Sequence, residues 1–245
     1  MNLAEIQIAD LLAFAFFLAS WIGYALFADI LKLGKASLME RMHEYRSAWT
    51  RQMLERDNRM VDIQVVNVLV NNVRFFASSN IFIIGGLVAV FGAAETARSV
   101  IAEMPFATPS PKFLFDLKLM LLMVIFVYAF FKFTWSLRQF NYVAILIGAT
   151  PDGISRESIG CAERLANIAT RAADHFNRAM RAFYFGLAAL VWFVQPSLFM
   201  LATIWVVLIV YRREYRSKIL ESLGPLGTPI SQLQGNADSL QSSRR

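Results

Sequence analysis

Long apolar blocks separated by charged stretches are the feature that most constrains this chain. Residues 9–28, 79–100 and 113–134 are each mostly apolar, and about 20 such residues are needed for an α-helix to cross a bilayer. Lipid offers the backbone no hydrogen-bond partners, so blocks of this kind fold as helices. Apolar residues make up 57% of the chain and charged residues only 17%, a balance not expected of a water-soluble domain. The sequence therefore predicts an all-α, polytopic membrane protein.

The last apolar block, residues 182–211, allows two interpretations. Its 30 residues are too many for one ordinary span and few for two. Gln195, Pro196 and Ser197 lie in its middle, where a proline interrupts a helix. The block is either two short spans, at about 179–195 and 197–213, or one kinked helix. The whole chain then has five spans or four.

The distribution of basic residues favours five spans. With the N-terminus outside, five spans place 21 of the 24 Lys and Arg residues inside and leave Arg98, Lys112 and Lys118 outside. With four spans the division becomes 15 to 9. The cytoplasmic loops of membrane proteins contain the excess of Lys and Arg. We therefore predict five spans in a bacterial inner membrane, with the N-terminus outside and the C-terminus in the cytoplasm.

The segments between the spans indicate a single membrane-embedded helical domain over residues 1–222. Residues 35–78 contain neither Pro nor Gly and predict a long cytoplasmic helix with an amphipathic first half. Residues 150–178 predict a second cytoplasmic helical segment that follows a Pro-Asp-Gly turn. Residues 223–245 offer little to bury, so we expect a disordered cytoplasmic tail.

Signals for catalysis or metal binding are weak. The single cysteine, Cys161, excludes a disulfide framework and a site built from cysteines. Haem ligation by His43 and His175 is conceivable, but interfacial or hydrogen-bonded histidines are the simpler interpretation. No nucleophile, phosphate-loop or paired-carboxylate motif appears. We predict no catalytic residue, no metal and no cofactor, and an enzymatic activity has no support in the sequence.

Charged residues near the outer helix ends, Glu95, Arg98, Asp116 and Lys118, also have two interpretations. Inside a membrane they would mark an ion path, because charges there are costly. At the interface they would only anchor the ends of the helices. All four lie within a turn or two of the predicted boundary, which favours anchoring.

Asparagine and arginine side chains are frequent where the inner helix ends are predicted to meet. Together they can coordinate a phosphate, a carboxylate or an anionic headgroup. A plain interfacial belt contains Arg and aromatic residues, but asparagine is less expected there. The candidate ligand-binding residues are Asn67, Asn71, Arg74, Arg138, Asn141, Asn177 and Arg178.

Two classes of function are compatible with these residues. The first, slightly favoured, is binding or transport of a small anion or lipid headgroup, and its structural sign would be a polar cavity lined by Asn71, Arg74, Arg138 and Asn141. The second is a non-catalytic scaffold whose cytoplasmic helices dock a partner, and its sign would be a close-packed bundle. Membrane lipids, anionic headgroups included, are the expected partners. Nucleic acid is not, because the basic residues serve to orient the chain in the bilayer.

Surplus packing surface predicts a homo-oligomer. Gly85, Gly86 and Gly92 would let a neighbouring helix approach closely. A second surface is the apolar stripe formed by Leu38, Met42, Tyr45 and Trp49. Five helices in one copy are not expected to cover both surfaces.

Several stretches of the chain resemble a known family. They are VRFFASSNIFIIGG at 73–86, FKFTWSLRQFNYVAILIGATP at 131–151, HFNRAMRAFYFGLAALVWFVQP at 175–196 and VYRREYRS at 210–217. Over most of residues 10–220 the chain resembles a family of predicted bacterial and plant integral membrane proteins, catalogued as a domain of unknown function of the 599 type. The resemblance implies a membrane protein. It implies no activity, cofactor or substrate, and it assigns no functional residue.

The five-span topology predicts opposite results for two reporters fused after Arg245. A reporter active only in the cytoplasm will be active there, and one active only in the periplasm will be silent. The same reporters inserted after Thr108, in the predicted outer loop, will give the reverse pattern. Periplasmic activity after Arg245 would instead support four spans.

Overall fold

The computed structural model describes residues 8–28, 38–104, 107–108, 110–216 and 218–223. All regular secondary structure in these residues is helical, so the predicted all-α fold is confirmed. A short 3-10 turn, Val191–Phe193, connects the helices Arg156–Leu190 and Pro196–Tyr215. The helices are α1 (Ile8–Leu26), α2 (Leu38–Met53), α3 (Met60–Gly92), α4 (Ala94–Ala102), α5 (Lys112–Ala149), α6 (Arg156–Leu190), α7 (Pro196–Tyr215) and α8 (Lys218–Leu223).

Four of the helices, α1, α3, α5 and α7, are long and apolar enough to cross a bilayer. With 33 and 38 residues, α3 and α5 rise about 50 and 57 Å, well beyond a hydrocarbon core of about 30 Å. These four helices expose large apolar side chains, as helices in contact with lipid do. Examples are Leu11, Ile22, Phe82, Val88, Met120, Val124, Leu201 and Trp205.

The apolar block at 182–211 forms two helices and not one kinked helix. α6 ends at Leu190, and α7 begins with Pro196 in its first turn, where the missing N–H of proline costs nothing. Trp192 stacks on Phe199 near the turn, with ring centroids 5.1 Å apart. At the far end Arg213 donates a hydrogen bond of 3.1 Å to the Tyr184 hydroxyl. The two helices therefore run antiparallel, as five spans require, while a membrane crossing by α6 itself stays a prediction.

The long helix expected over 35–78 is interrupted in the structure. Residues 35–37 lie outside the described residues, α2 ends at Met53, and α3 begins at Met60. The buried Asp62 carboxylate stabilises the interruption: it accepts hydrogen bonds from Trp49 Nε1, at 2.7 Å, and from Arg56. No Pro or Gly occurs between α2 and α3, and the local turn signal is the pair Asp57 and Asn58, whose Asn58 side chain accepts a hydrogen bond of 2.8 Å from the Met60 N–H.

Two further boundaries complete the comparison with the predicted segments. Within the span predicted at 79–100, α3 ends at Gly92 and α4 begins at Ala94. At the C-terminal end Leu223 closes α8, and residues 224–245 of the predicted tail lie outside the described residues. The limits of the membrane domain therefore stay predictions.

Arg59, at the start of α3, connects this helix to the C-terminal end of α5. Its guanidinium donates hydrogen bonds to the carbonyl of Ile147, at 3.0 Å, and to the carbonyl of Pro151, at 2.9 Å. It also forms an ion pair of 3.0 Å with Asp152. Carbonyl groups at a helix end lack partners within the helix, and Arg59 supplies one of the missing donors.

Small residues on one side of α6 allow close packing against α5. Ser136 on α5 donates a hydrogen bond of 2.7 Å to the carbonyl of Ala172, and the ring of Phe126 lies directly against Gly186. A methyl group built on Gly186 would come within 2.8 Å of that ring. The buried small residues of α6 include Ala162, Ala166, Ala169, Ala172, Ala179, Ala182, Gly186 and Ala189.

A buried ion pair joins three helical elements at the end of the bundle that is predicted to lie outside. Lys118 Nζ is 3.3 Å from the Asp10 carboxylate, and both side chains are about 95% buried or more. The ammonium also donates to Ser110 Oγ and to the Trp192 carbonyl, while Trp192 Nε1 donates to Asp10 at 2.8 Å. Lys118 is thus not the interfacial anchor that its position suggested. Glu95 and Arg98 do fit the interpretation as interfacial anchors, because they form an exposed pair 2.7 Å apart.

The two surfaces expected to mediate association differ in their contacts within the chain. Trp49 packs against the core and donates a hydrogen bond to Asp62, and Tyr45 donates one to the Leu223 carbonyl, so these two members of the stripe have partners within the chain. Gly85, Gly86 and Gly92 are exposed, and a methyl group at each would meet nothing within 4 Å. A homo-oligomer formed through the glycine surface stays a prediction.

Gly186→Ala should destabilise the protein by about 1–3 kcal/mol, because the buried Phe126 ring has no room to move away from an added methyl group. The melting temperature of the detergent-purified protein measures the effect. Gly85→Ala is the matched control, since the space around Gly85 is open. Equal melting temperatures for the two variants would contradict the close packing.

Lys118→Met should lower the free energy of unfolding by about 3–5 kcal/mol, because the Asp10 carboxylate would remain buried without its cation. Adding Asp10→Asn should restore most of the loss, since an amide is neutral and still accepts the Trp192 hydrogen bond. Lys112→Met, at an exposed pair on the same helix, should change stability little. Thermal melting of the single and double variants tests the pair. A double variant no more stable than Lys118→Met would show that the two charges are not coupled.

Candidate functional site

A cavity of about 520 Å³ lies between α2, α6 and the C-terminal ends of α1 and α7. It is at the end of the bundle opposite Asp10 and Lys118, the end that the charge distribution predicts as cytoplasmic. Its apolar lining comes from Ala28, Leu38, Met39, Met180 and Val210. Its polar lining is formed by Glu40, His43, Glu44, Thr170, Asp174, Asn177, Arg178, Arg181, Tyr184, Arg213 and Glu214.

The longest wall of the cavity is one side of α6, here named the polar face of α6. Spacings of four, three, one, three and three residues place its members along one side of a helix with 3.6 residues per turn. The small residues that contact α5 lie on a different side. The polar face consists of Thr170, Asp174, Asn177, Arg178, Arg181 and Tyr184.

Helix α2 forms the wall opposite the outer part of this polar face. His43 Nδ1 is 2.9 Å from Thr170 Oγ1, and the Asn177 amide contacts the thioether of Met39. These two contacts show that α2 and α6 run antiparallel. Glu40, one residue after Met39, is therefore level with the stretch of α6 around Asp174.

Helices α1 and α7 form the rest of the wall, around Tyr184 and Arg181. Tyr24 donates a hydrogen bond of 3.0 Å to the Glu214 carboxylate. The Arg181 guanidinium lies over the Tyr24 ring, 5.9 Å from its centroid. Arg213 bonds to Tyr184, so the ends of α1, α6 and α7 are connected at this level.

The cavity lies where the apolar outer surface of α7 ends. Leu208 and Ile209 are exposed, and the next residues outward are Val210, which lines the cavity, and the charged pair Arg212 and Arg213. Exposed apolar residues mark the part of a helix that contacts lipid, and arginines mark the interface. The cavity is thus at interfacial depth.

The charges of the cavity are mixed. Four carboxylates and three guanidinium groups line it, so its formal charge is −1 with His43 neutral. Behind it, burial lowers the pKa of the Arg46 guanidinium, and the nearby Asp174 carboxylate opposes this shift. An uncomplicated anion site would contain fewer carboxylates, so the lining is better suited to a ligand with charges of both signs or with hydrogen-bond donors.

Of the seven predicted ligand-binding residues, Asn177 and Arg178 line the cavity. The other five lie elsewhere and are exposed: Asn67, Asn71 and Arg74 on α3, and Arg138 and Asn141 on α5. Arg74 donates a hydrogen bond of 3.2 Å to Asn71 on this exposed surface. Asn71, Arg74, Arg138 and Asn141 lie on the exposed surfaces of α3 and α5, because a neighbouring stripe of α3 packs inward instead. That buried stripe is Val66, Val70, Val73 and Ala77.

Most of the cavity residues were not among the sequence candidates, although one signal for them existed. The polar face of α6 has helical periodicity, opposite a side rich in alanine, and so predicts a helix with one polar contact surface. The contributions of Glu40, His43, Arg213 and Glu214 depend on which helices are neighbours, and single-sequence patterns do not contain that information.

The two histidines contact different helices. His43 bonds to Thr170 on α6, whereas the His175 ring lies edge-on to Trp135 on α5. Burial lowers the pKa of His175, and the positive charges of Lys132 and Arg178 lower it further. Within the described ranges, no three His, Cys, Asp or Glu side chains form a group that could hold a metal ion.

Comparison with known proteins gives a family and no activity. No curated protein and no solved structure matches the chain. One family model, described as "Protein of unknown function, DUF599", matches residues 12–219. The match includes the whole of α2 to α7 and nearly all of α1. It confirms the resemblance found in the sequence, and with four helices able to span a bilayer it identifies the chain as a multi-pass integral membrane protein of the DUF599 family.

Proposed function

We propose that this protein binds a phosphate-bearing amphiphile, namely a lipid headgroup, in the cavity between α1, α2, α6 and α7. The proposal places the protein in the bacterial inner membrane, with the cavity at the cytoplasmic leaflet. The observation that supports it is the position of Arg178, Arg181 and Arg213 in a cavity at the boundary of the apolar surface. The Asn/Arg surfaces of α3 and α5 have no role in binding on this proposal.

Arginine suits this ligand class for a geometric reason. Its planar guanidinium donates two parallel hydrogen bonds to phosphate oxygens, and such charge-assisted bonds are roughly twice as strong as neutral ones. Met39, Met180 and Val210 add apolar walls beside the arginines. A headgroup with its glycerol backbone meets both kinds of surface, whereas a small inorganic anion leaves the apolar walls unused.

A non-catalytic scaffold is the second candidate, and one observation favours it. The part of the bundle beside the cavity is closely packed around Phe133, Phe140 and Ile147, all of which are buried. Close packing was the structural sign expected of a scaffold. The cavity lies beside this packed region and is formed by different side chains, so both descriptions apply to separate parts of the molecule.

Lipid retention tests the proposal. Native mass spectrometry of the full chain, purified in mild detergent and titrated with a phospholipid, should show bound lipid. Arg178→Gln and Arg181→Gln should each weaken binding about tenfold, the loss expected for one charge-assisted hydrogen-bond pair. Melting temperatures identify any variant that fails to fold.

Two controls make the result specific to the cavity. Arg171→Gln removes an exposed arginine from the same helix outside the cavity, and should leave binding unchanged. The double change Arg74→Gln with Arg138→Gln removes arginines of the exposed surfaces and should also have no effect. Equal losses in the controls, or no bound lipid in any form of the protein, would reject the proposal and leave the scaffold.

A further inference from the structure

The charges that line the cavity are ordered by depth along α6. Arg181 and Arg178 are nearest the turn with α7, and Asp174 lies one helical turn farther from it. At a rise of 1.5 Å per residue, Asp174 is about 6 Å from Arg178 and about 10 Å from Arg181 along the helix axis. Positive charge therefore stands nearer the apolar surface, and negative charge stands farther out.

Helix α2 repeats this order on the opposite wall. The antiparallel contacts of Met39 with Asn177 and of His43 with Thr170 place Glu40 level with Asp174. The one carboxylate at the level of the arginines is Glu214, and it accepts the hydrogen bond from Tyr24. A pair of carboxylates on facing helices thus lies one turn outside the arginines.

We infer that the cavity selects a zwitterionic aminophospholipid, whose phosphate contacts Arg178 and Arg181 and whose primary ammonium contacts Asp174 and Glu40. This inference rests on the proposed function and names the headgroup. In an ethanolamine headgroup the ammonium follows the phosphate by two carbons, a separation comparable with one helical turn of about 5.4 Å. With the acyl chains directed to the apolar surface, the phosphate reaches the arginines first and the ammonium reaches the carboxylates.

Related headgroups lack one half of this match. A phosphoglycerol headgroup has no cation for Asp174 and Glu40, so both carboxylates would face an anionic ligand. A trimethylated ammonium retains the charge but has no N–H to donate, whereas a primary ammonium has three. The arginines and carboxylates all interact within the protein. A headgroup therefore replaces these internal partners, and the selectivity depends on supplying both signs of charge.

A titration with headgroup variants tests the inference. The full chain in mild detergent is titrated with phosphatidylethanolamine, phosphatidylglycerol and phosphatidylcholine of identical acyl chains, and occupancy is read by native mass spectrometry. The ethanolamine lipid should bind about tenfold more tightly than either of the others. Glycerophosphoethanolamine, which has the same headgroup without acyl chains, serves as a soluble competitor and should displace the lipid poorly.

Removal of the carboxylates should abolish the preference and not the binding. Glu40→Gln and Asp174→Asn should each lower the affinity for the ethanolamine lipid about tenfold and leave that for the glycerol lipid unchanged or higher. Asp174 also acts on the half-buried Arg46, so Glu40→Gln provides the test if Asp174→Asn does not fold. Glu163→Gln, on an exposed part of α6 outside the cavity, is the matched control and should keep the preference.

The outcomes separate this inference from the proposed function. Equal affinity for the three lipids, with binding still lost in Arg178→Gln, would overturn the headgroup assignment and keep lipid binding. No lipid binding in any form would overturn both. Displacement by glycerophosphoethanolamine at equal concentration would overturn the lipid as the source and point to a soluble phosphoethanolamine compound.

Discussion

The close approach of α6 to α5 is the contact on which the rest of the molecule depends. Gly186 lies against the Phe126 ring, and alanines line the same side of α6 farther along. Lipid gives helices no hydrophobic reason to associate, so close van der Waals packing through small residues has to provide the attraction. Because this side of α6 packs against α5, the rotation of α6 about its own axis is fixed. Its polar face then meets α1, α2 and α7, and the cavity is the space that they leave.

Features that depend on local sequence were predictable, whereas features that depend on contacts between distant residues were not. Hydropathy predicted the helical membrane fold, and Pro196 marked the turn between α6 and α7, because both signals are local. The helical conformation of Asn71 and Arg74 was predictable in the same way. Their direction was not, since a rotation of about 100° per residue separates them from the buried stripe of α3. The turn before Met60 has a local signal in Asp57 and Asn58, but the contacts of Asp62 with Trp49 and Arg56 depend on residues meeting in space.

The charged side chains at the two ends of the bundle differ in their burial. At one end Asp10 and Lys118 are buried and bonded to each other and to Trp192, and every donor of the ammonium has a partner. At the other end carboxylates and arginines surround an open cavity. A buried and satisfied pair supports one arrangement of helices. Charges around a cavity can exchange partners with a ligand, because water or a headgroup can enter. The chemistry of the molecule is therefore expected at one end, and its fixed structure at the other.

The uninterrupted length of α5 has a mechanical consequence. Between Lys118 and Ile147 the helix has no break, so these residues are about 44 Å apart on one rigid rod. Lys118 is held by Asp10 on α1, and the Ile147 carbonyl is held by Arg59, which adjoins the turn from α2. A tilt of the rod about its centre displaces these two attachment points in opposite directions. The single rod in this way connects the attachment to α1 at one end of the bundle with the attachment beside α2 at the other end.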